Sequence, residues 1–140
     1  MKVIPEDATL EQIIAFFKHD KFATQACGAQ IIAASKGHVI TQMEVKEIHL
    51  NAHGQVMGGA LFTLADFALA VACNIGEKPT VAVSNTIEFM NTVKGNTLIA
   101  ECGTDKSGQH LGFYTVCIRD EHDTPVAKMT ATCARKVHSS

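Results

Sequence analysis

Asp66 is the residue around which chemistry can be built. It sits inside the apolar run from Gly58 to Cys73, whose other polar member is Thr63. An ionised carboxylate in such a run is expensive to bury unless something compensates it. Thr63, one turn back on the same side of a helix, offers a hydroxyl partner. Ala or Leu would fill the place without the cost, so the charge itself points to a site. Gly58 and Gly59 open the same run. On a helix their N–H groups have no internal acceptor and lie at the positive end of the dipole. With no Cβ in the way, a ligand carbonyl can come close, as in an oxyanion hole, although a helix start that needs close packing reads the same way. Asp66 follows these glycines by seven or eight residues, about 10–12 Å at ~1.5 Å per residue. One helix cannot bring both to one carbonyl. A site that uses both takes the glycines from one copy and the aspartate from another, across a two-fold axis.

The elements that must hold these groups follow from patterning. Thr9-Leu10-Glu11-Gln12 before Ile13, Ile14, Phe16 and Phe17 is a capping box opening an amphipathic helix that ends near His19. Phe22 to Cys27 adds a helical turn stopped by Gly28, so a short helical segment covers about 9–27. Gln30–Ser35 and His38–Val45 around Lys36-Gly37 read as a hairpin. Asn51 to Gln55 is a loop, and Met57 to about Asn74 a helix of good formers. Leu61, Leu64, Ala65, Ala68, Val71 and Ala72 share one side of it, but Phe62, Phe67, Leu69 and Ala70 make it apolar nearly all round. Such a helix must be surrounded. Strands are expected at Thr80–Phe89, Asn96–Thr104, His110–Asp120 and Pro125–Val137, an antiparallel meander in sequence order. Small residues on one face of the last, Ala127, Ala131 and Cys133, let a helix approach closely. The expected class is α+β, one curved antiparallel sheet around one helix, with residues 1–140 as a single domain.

Composition narrows the function. Twelve Lys and Arg against fourteen Asp and Glu give a net charge of −2, no footprint for a polyphosphate backbone, so nucleic acid is not an expected partner. The first residues lack the apolar core of a signal peptide, and the run around Asp66 is too short and too polar to span a bilayer. Five cysteines without a C-x-x-C suit a reducing, cytoplasmic compartment. His49 and His53 have i, i+4 spacing, but at a strand-to-loop junction with no Glu between them and no nearby Cys; no metal is assigned.

The stretch Asn51-Ala52-His53-Gly54-Gln55-Val56-Met57-Gly58-Gly59, followed by a helix carrying Asp66, resembles the Asn-x-x-Gly-x-x-His-Gly-Gly signature of the PaaI-like hotdog-fold acyl-CoA thioesterases. The likeness continues through Ser84 to Phe89 and Lys94-Gly95-Asn96-Thr97-Leu98, about four-fifths of the chain. The resemblance implies a hotdog fold, a homodimer or a dimer-of-dimers tetramer, and an acyl-CoA substrate hydrolysed to a carboxylic acid and coenzyme A without a further cofactor. It implies Asp66 as general base or nucleophile, Gly58 with Gly59 as backbone donors to the thioester oxygen, Asn51 as an amide near the carbonyl, and Ser84 as a hydroxyl positioning water. Taken as residues alone, Asn51 is a loop cap and Ser84 a polar position on an alternating strand. Met57 stands where the pattern has His and cannot donate a hydrogen bond; His53 could stand in from the loop. For the coenzyme A phosphates the basic side chains and turn amides are Lys94, Gly95 and Asn96, then Lys106, Ser107, Gly108, Gln109 and His110, with Arg135-Lys136 as a further pair. Two other readings use the same fold: a hydratase or dehydratase of acyl thioesters, and a non-catalytic acyl-CoA-binding module.

Overall fold

Strong local signals become the expected elements in the computed structural model, which describes residues 3–136. Helix α1, Leu10–Phe17, starts at Thr9 with both capping-box bonds made. A π-helical turn, Phe22–Ala26, follows, then β1 (Gln30–Ser35) and β2 (His38–Glu44) around the Lys36-Gly37 turn. Gly37 has φ +74°, a conformation open to glycine at little cost. A 3₁₀ turn, Glu47–His49, leads through the Asn51 loop to α2, Gly58–Asn74. Four strands complete the chain: β3 (Thr80–Phe89), β4 (Thr97–Ser107), β5 (Leu111–Asp120) and β6 (Pro125–Arg135). β4 runs three residues past its expected end, because the turn signal Ser107-Gly108 closes the hairpin only after Ser107.

The strands form one antiparallel sheet in the order β1-β2-β4-β5-β6-β3. This corrects the meander in one respect. β4, β5 and β6 are consecutive neighbours, but β3 pairs with β6 at the far edge while β2 pairs with β4. The reason is α2: it crosses the concave face and delivers the chain to the opposite edge, so β3 pairs with the last strand to arrive. The loop after Phe89 then brings the chain back to the middle.

Leu64, Ala65, Ala68, Val71 and Ala72 of α2 are 0–1% exposed, pressed onto Val39, Leu98, Ala100, Val116, Ala127 and Cys133 from the sheet. α1 and the π turn add Ile13, Phe17 and Ala23, and Phe17 meets Phe67 edge to face at 6.2 Å. All five cysteines are free thiols; Cys73, Cys102 and Cys133 are buried, Cys27 is half-buried and Cys117 is exposed. At the C-terminal end of α2, Arg135 donates to the Cys73 carbonyl, Thr80 Oγ1, Ser107 Oγ and the Tyr114 hydroxyl. Its Nε lies 3.1 Å from Glu77 Oε2. Among the described residues no helix is long and apolar enough to cross a membrane.

Candidate active site

One stripe of α2 is left uncovered. Gly59, Phe62, Thr63, Asp66 and Ala70 recur at helical spacing and are half-buried or exposed, while the other sides of the helix are closed. Asp66 is the only charge on that helix. The Thr63 partnership does not form: the Thr63 hydroxyl turns back to donate to the Gly59 carbonyl at 2.8 Å. Serine and threonine hydroxyls inside helices take this local acceptor readily. No described donor bonds the Asp66 carboxyl, and burial, followed by the negative charge of Asp20, pushes its pKa up. The helix thus carries a carboxylate with raised proton affinity and open coordination.

At the head of the same helix Met57 caps through its backbone alone, with φ −72° and ψ 149°. Its carbonyl accepts from the Ala60 and Leu61 amides. The Gly58 and Gly59 amides find no acceptor among the described residues, as the first turn of a helix dictates. A Cβ on Gly58 would stand 3.0 Å from the Phe89 ring, so glycine is also what lets β3 end beside the helix start.

Asn51 shapes the loop before it. Its Oδ1 accepts from the His53 and Gln55 amides at 2.9 and 3.1 Å. The amide nitrogen of the same side chain is left over, at the exposed mouth of the loop. His53 is exposed, whereas His49 is buried, its Nδ1 accepting from the Lys46 amide and its Nε2 facing the Cys27 carbonyl at 2.8 Å. A ring with both nitrogens so engaged is a structural tie between the 3₁₀ turn and the N-terminal segment.

Ser84 lies elsewhere. A bulge between Ala82 and Ser84 sets Ala82 opposite Cys133, on the face toward α2, and Ser84 opposite Thr132, on the outer face. There it shares a shallow hollow with Thr86, Asp105, Thr130 and Thr132. Past the bulge, the polar β3 side chain that faces inward is Asn85, opposite Ala131, whose Oδ1 is buried without a partner. Sequence reasoning missed it because the bulge is silent in the residue pattern.

The phosphate candidates separate into two ends. The Lys94 and Gly95 amides donate to Asp120 Oδ2, and the Asn96 amide donates to the Glu121 carboxylate. Those turn amides are therefore spent, and what Lys94 can still offer is its side chain. Burial raises the Asp120 pKa, but amides of Thr124, Lys94 and His122 outweigh it and hold it at about 2. Ser107 accepts from Arg135 and the Gly108 amide bonds the Leu111 carbonyl, while Lys106, Gln109 and His110 remain exposed. This second group lies at the C-terminal end of α2, where Ser107 and Ala72 border one hollow, a helix length of about 25 Å from Gly58. Arg135 is withdrawn from the candidates, because its side chain is buried and engaged internally.

No cluster of three metal-ligating side chains occurs among the described residues. Two cavities flank the glycine pair. One, of about 510 Å³, is open and bordered by Gln55, Gly58, Asn91 and Thr92; the other, of about 350 Å³, adjoins Gly59 and Thr63.

The family model described as "Thioesterase superfamily" matches residues 53–127, and the chain belongs to that family. It is a thioester hydrolase with a hotdog fold, of the PaaI-like kind. It is 35% identical over 114 residues to the acyl-coenzyme A thioesterase PaaI of Escherichia coli K12, covering 81% of each chain. The solved structure of the E. coli PaaI protein superposes with a TM-score of 0.80 at 29% identity, over 91% of this chain and 96% of that one. The structure of smu.793 from Streptococcus mutans bound to acetyl CoA gives a TM-score of 0.72 at 26% identity, over 77% of this chain and 91% of that one.

Proposed function

We propose that the chain hydrolyses acyl-CoA thioesters in the cytoplasm at a site shared by two copies. The observation that carries this is the unpaired, half-buried Asp66 carboxyl on the uncovered stripe of α2, too far along the helix from its own Gly58 amide to serve the same carbonyl. A second copy supplies the missing half. β3 is a ten-residue edge strand with Val81 and Val83 exposed, and an unpaired edge of that length invites another strand. Pairing two β3 edges about a two-fold axis would lay the two helices side by side with opposite directions. The head of one then stands beside the middle of the other. Acetyl CoA in the S. mutans relative supports the substrate class.

In this reading the thioester oxygen accepts from the Gly58 N–H, with Gly59 beside it, and the leftover Asn51 amide nitrogen borders the same place. Asp66 of the other copy takes a proton from water, and the hydroxide so formed attacks the carbonyl carbon. The raised pKa favours a general base, since proton transfer is most effective when the base titrates toward the working pH. Negative charge gathers on the oxygen that the amides face, where fixed dipoles stabilise it without reorganising. Collapse breaks the carbon–sulfur bond. The leaving thiolate, whose thiol pKa is about 8.5, needs no strong acid. It takes the proton back from Asp66 or from solvent. Ser84 plays no part from its own copy's outer face.

The test mixes two inactive variants. Gly58→Pro, made together with Phe89→Ala because a Cβ at Gly58 would stand 3.0 Å from the Phe89 ring, removes the donor at a position where proline suits a helix start; Asp66→Asn removes the base, and Phe89→Ala alone is the control. The glycine and aspartate variants, each by itself, should release little thiol from acyl-CoA. After unfolding and refolding together, half the dimers are hybrids with one intact site each, so about a quarter of wild-type activity should return for a two-fold shared site. No recovery would mean that both groups act within one copy. Product without thiol release would favour the hydratase reading, and binding without product the carrier module.

A further inference from the structure

The cavity beside Gly59 has no task in the hydrolytic chemistry above. Gly59, Thr63, Phe22, Ala26, Ile48 and Met57 are among the residues that line it. Phe22, Ile48 and Met57 are 66%, 70% and 43% exposed. Large apolar side chains gathered around one opening mark a binding surface more often than isolated ones do. Every polar side chain bordering the space is already satisfied or suppressed, which leaves the Gly59 amide as the open donor at its edge. The Thr63 hydroxyl is given to the Gly59 carbonyl, both His49 nitrogens are engaged, and burial pushes the Cys27 thiol up. What the rest of the cavity offers a ligand is therefore methyl, methylene and ring surface.

Its position fixes the ligand. The open cavity with Gln55, Asn91 and Thr92 lies on the Gly58 side of the amide pair, and the apolar one on the Gly59 side. A carbonyl held by these amides has two substituents, a polar thiol arm and an acyl group. The open space, where Gln55, Asn91 and Thr92 stand among Leu61, Phe89 and Met90, is the more polar of the two and suits the first, and the other suits the second. At about 350 Å³ it is at the small end of ligand sites, which run from about 300 to 1,000 Å³. Phe22 and Ala26 of the π turn and Ile48 of the 3₁₀ turn also lie upstream of the matched stretch 53–127. The Met57 methyl group lies 3.3 Å from where a Cβ on Gly59 would be, a soft thioether wall against the reacting centre.

We propose that this cavity is the subsite for an aliphatic acyl chain, and that Phe22, Ala26, Ile48 and Met57 set which chain lengths are hydrolysed. The proposal rests on the thioesterase reading and adds the substrate class to it. The experiment measures kcat/KM for acetyl-, hexanoyl- and decanoyl-CoA in the wild type, Ala26→Phe and Ile48→Ser. Both substituted positions are exposed, so the fold tolerates them. The wild type should prefer a longer chain to acetyl. Ala26→Phe fills the space and Ile48→Ser removes apolar lining, and each should lower the ratio of decanoyl to acetyl kcat/KM by about tenfold or more, the scale of one or a few methylenes in an apolar pocket. General damage lowers both rates together and leaves the ratio in place. An unchanged ratio in both variants overturns the subsite, and an unchanged ratio with an altered oligomeric state assigns the patch to contact between copies. Wild-type protein that releases thiol from none of the three esters overturns the underlying reading as well.

Discussion

A carboxylate can serve as a base only while ionised, and Asp66 is held toward its protonated form by burial first and by Asp20 second. Activity should therefore be present above the raised pKa and fall as pH drops through it. The acid limb of kcat/KM should lie above the ordinary carboxylate range. Asp20→Asn removes a negative charge and should move that limb downward in pH; a limb that stays in place would remove Asp20 from the account. Asp66→Ala should cost about 10² or more in kcat, with the oligomeric state retained, read by thiol release beside sedimentation. Asp66, Gly58 and Gly59 were legible in the sequence because each is costly or unusual for its surroundings. Asn51 was legible as a residue type, and the structure shows it doing the bland task and retaining one free amide. Ser84 was not legible: a single extra residue in β3 reverses which side chains face the helix, and nothing in Ala82-Val83-Ser84 announces it.

Helices α1 and α2 show two ways of starting a helix. α1 satisfies its first amides with Thr9 and Gln12 side chains, whereas α2 leaves its first two amides open. Thr9→Ala should lower unfolding free energy by about 1 kcal/mol in denaturant titration, and a change near zero would mean that α1 is held by packing alone. The elements were readable because capping, turn and periodicity signals agree at each of them. The path of β3 was not, since strand order depends on where α2 delivers the chain. β3 is also the element on which assembly depends in the shared-site reading. Val83→Lys places a charge on its exposed edge and should yield monomers with little activity in sedimentation and thiol-release assays. Full activity in a monomer would move the site into one copy.

For the whole molecule, the ends of the sheet are tied by buried charges rather than by hydrophobic contact alone. Arg135 joins α2, β3, β4 and β5 at one end, through Cys73, Thr80, Ser107 and Tyr114. Arg135→Met strands Glu77 and several acceptors and should cost about 3 kcal/mol or more. At the other end Asp120 collects turn amides, with its pKa held at about 2. Because its folded pKa lies below the unfolded value, this tie contributes stability above the unfolded carboxylate range and loses it as pH falls toward about 2. Asp120→Asn should melt earlier at neutral pH, with the gap from wild type closing through that acid window. Arg135 illustrates what composition cannot say: a cation near the C-terminus reads as phosphate-seeking until its burial is known.

The distribution of sulfur governs how any kinetic trace of this enzyme must be read. A chromogenic disulfide reagent that scores released coenzyme A will also label Cys117, which stands on the surface. One rapid stoichiometric equivalent per subunit from Cys117, followed by a slower one from the half-buried Cys27, thus sets the baseline. Cys73, Cys102 and Cys133 are shielded, so their later labelling in a substrate-free blank would be a clock for breathing of the interior, supplied by the same cuvette that reports turnover.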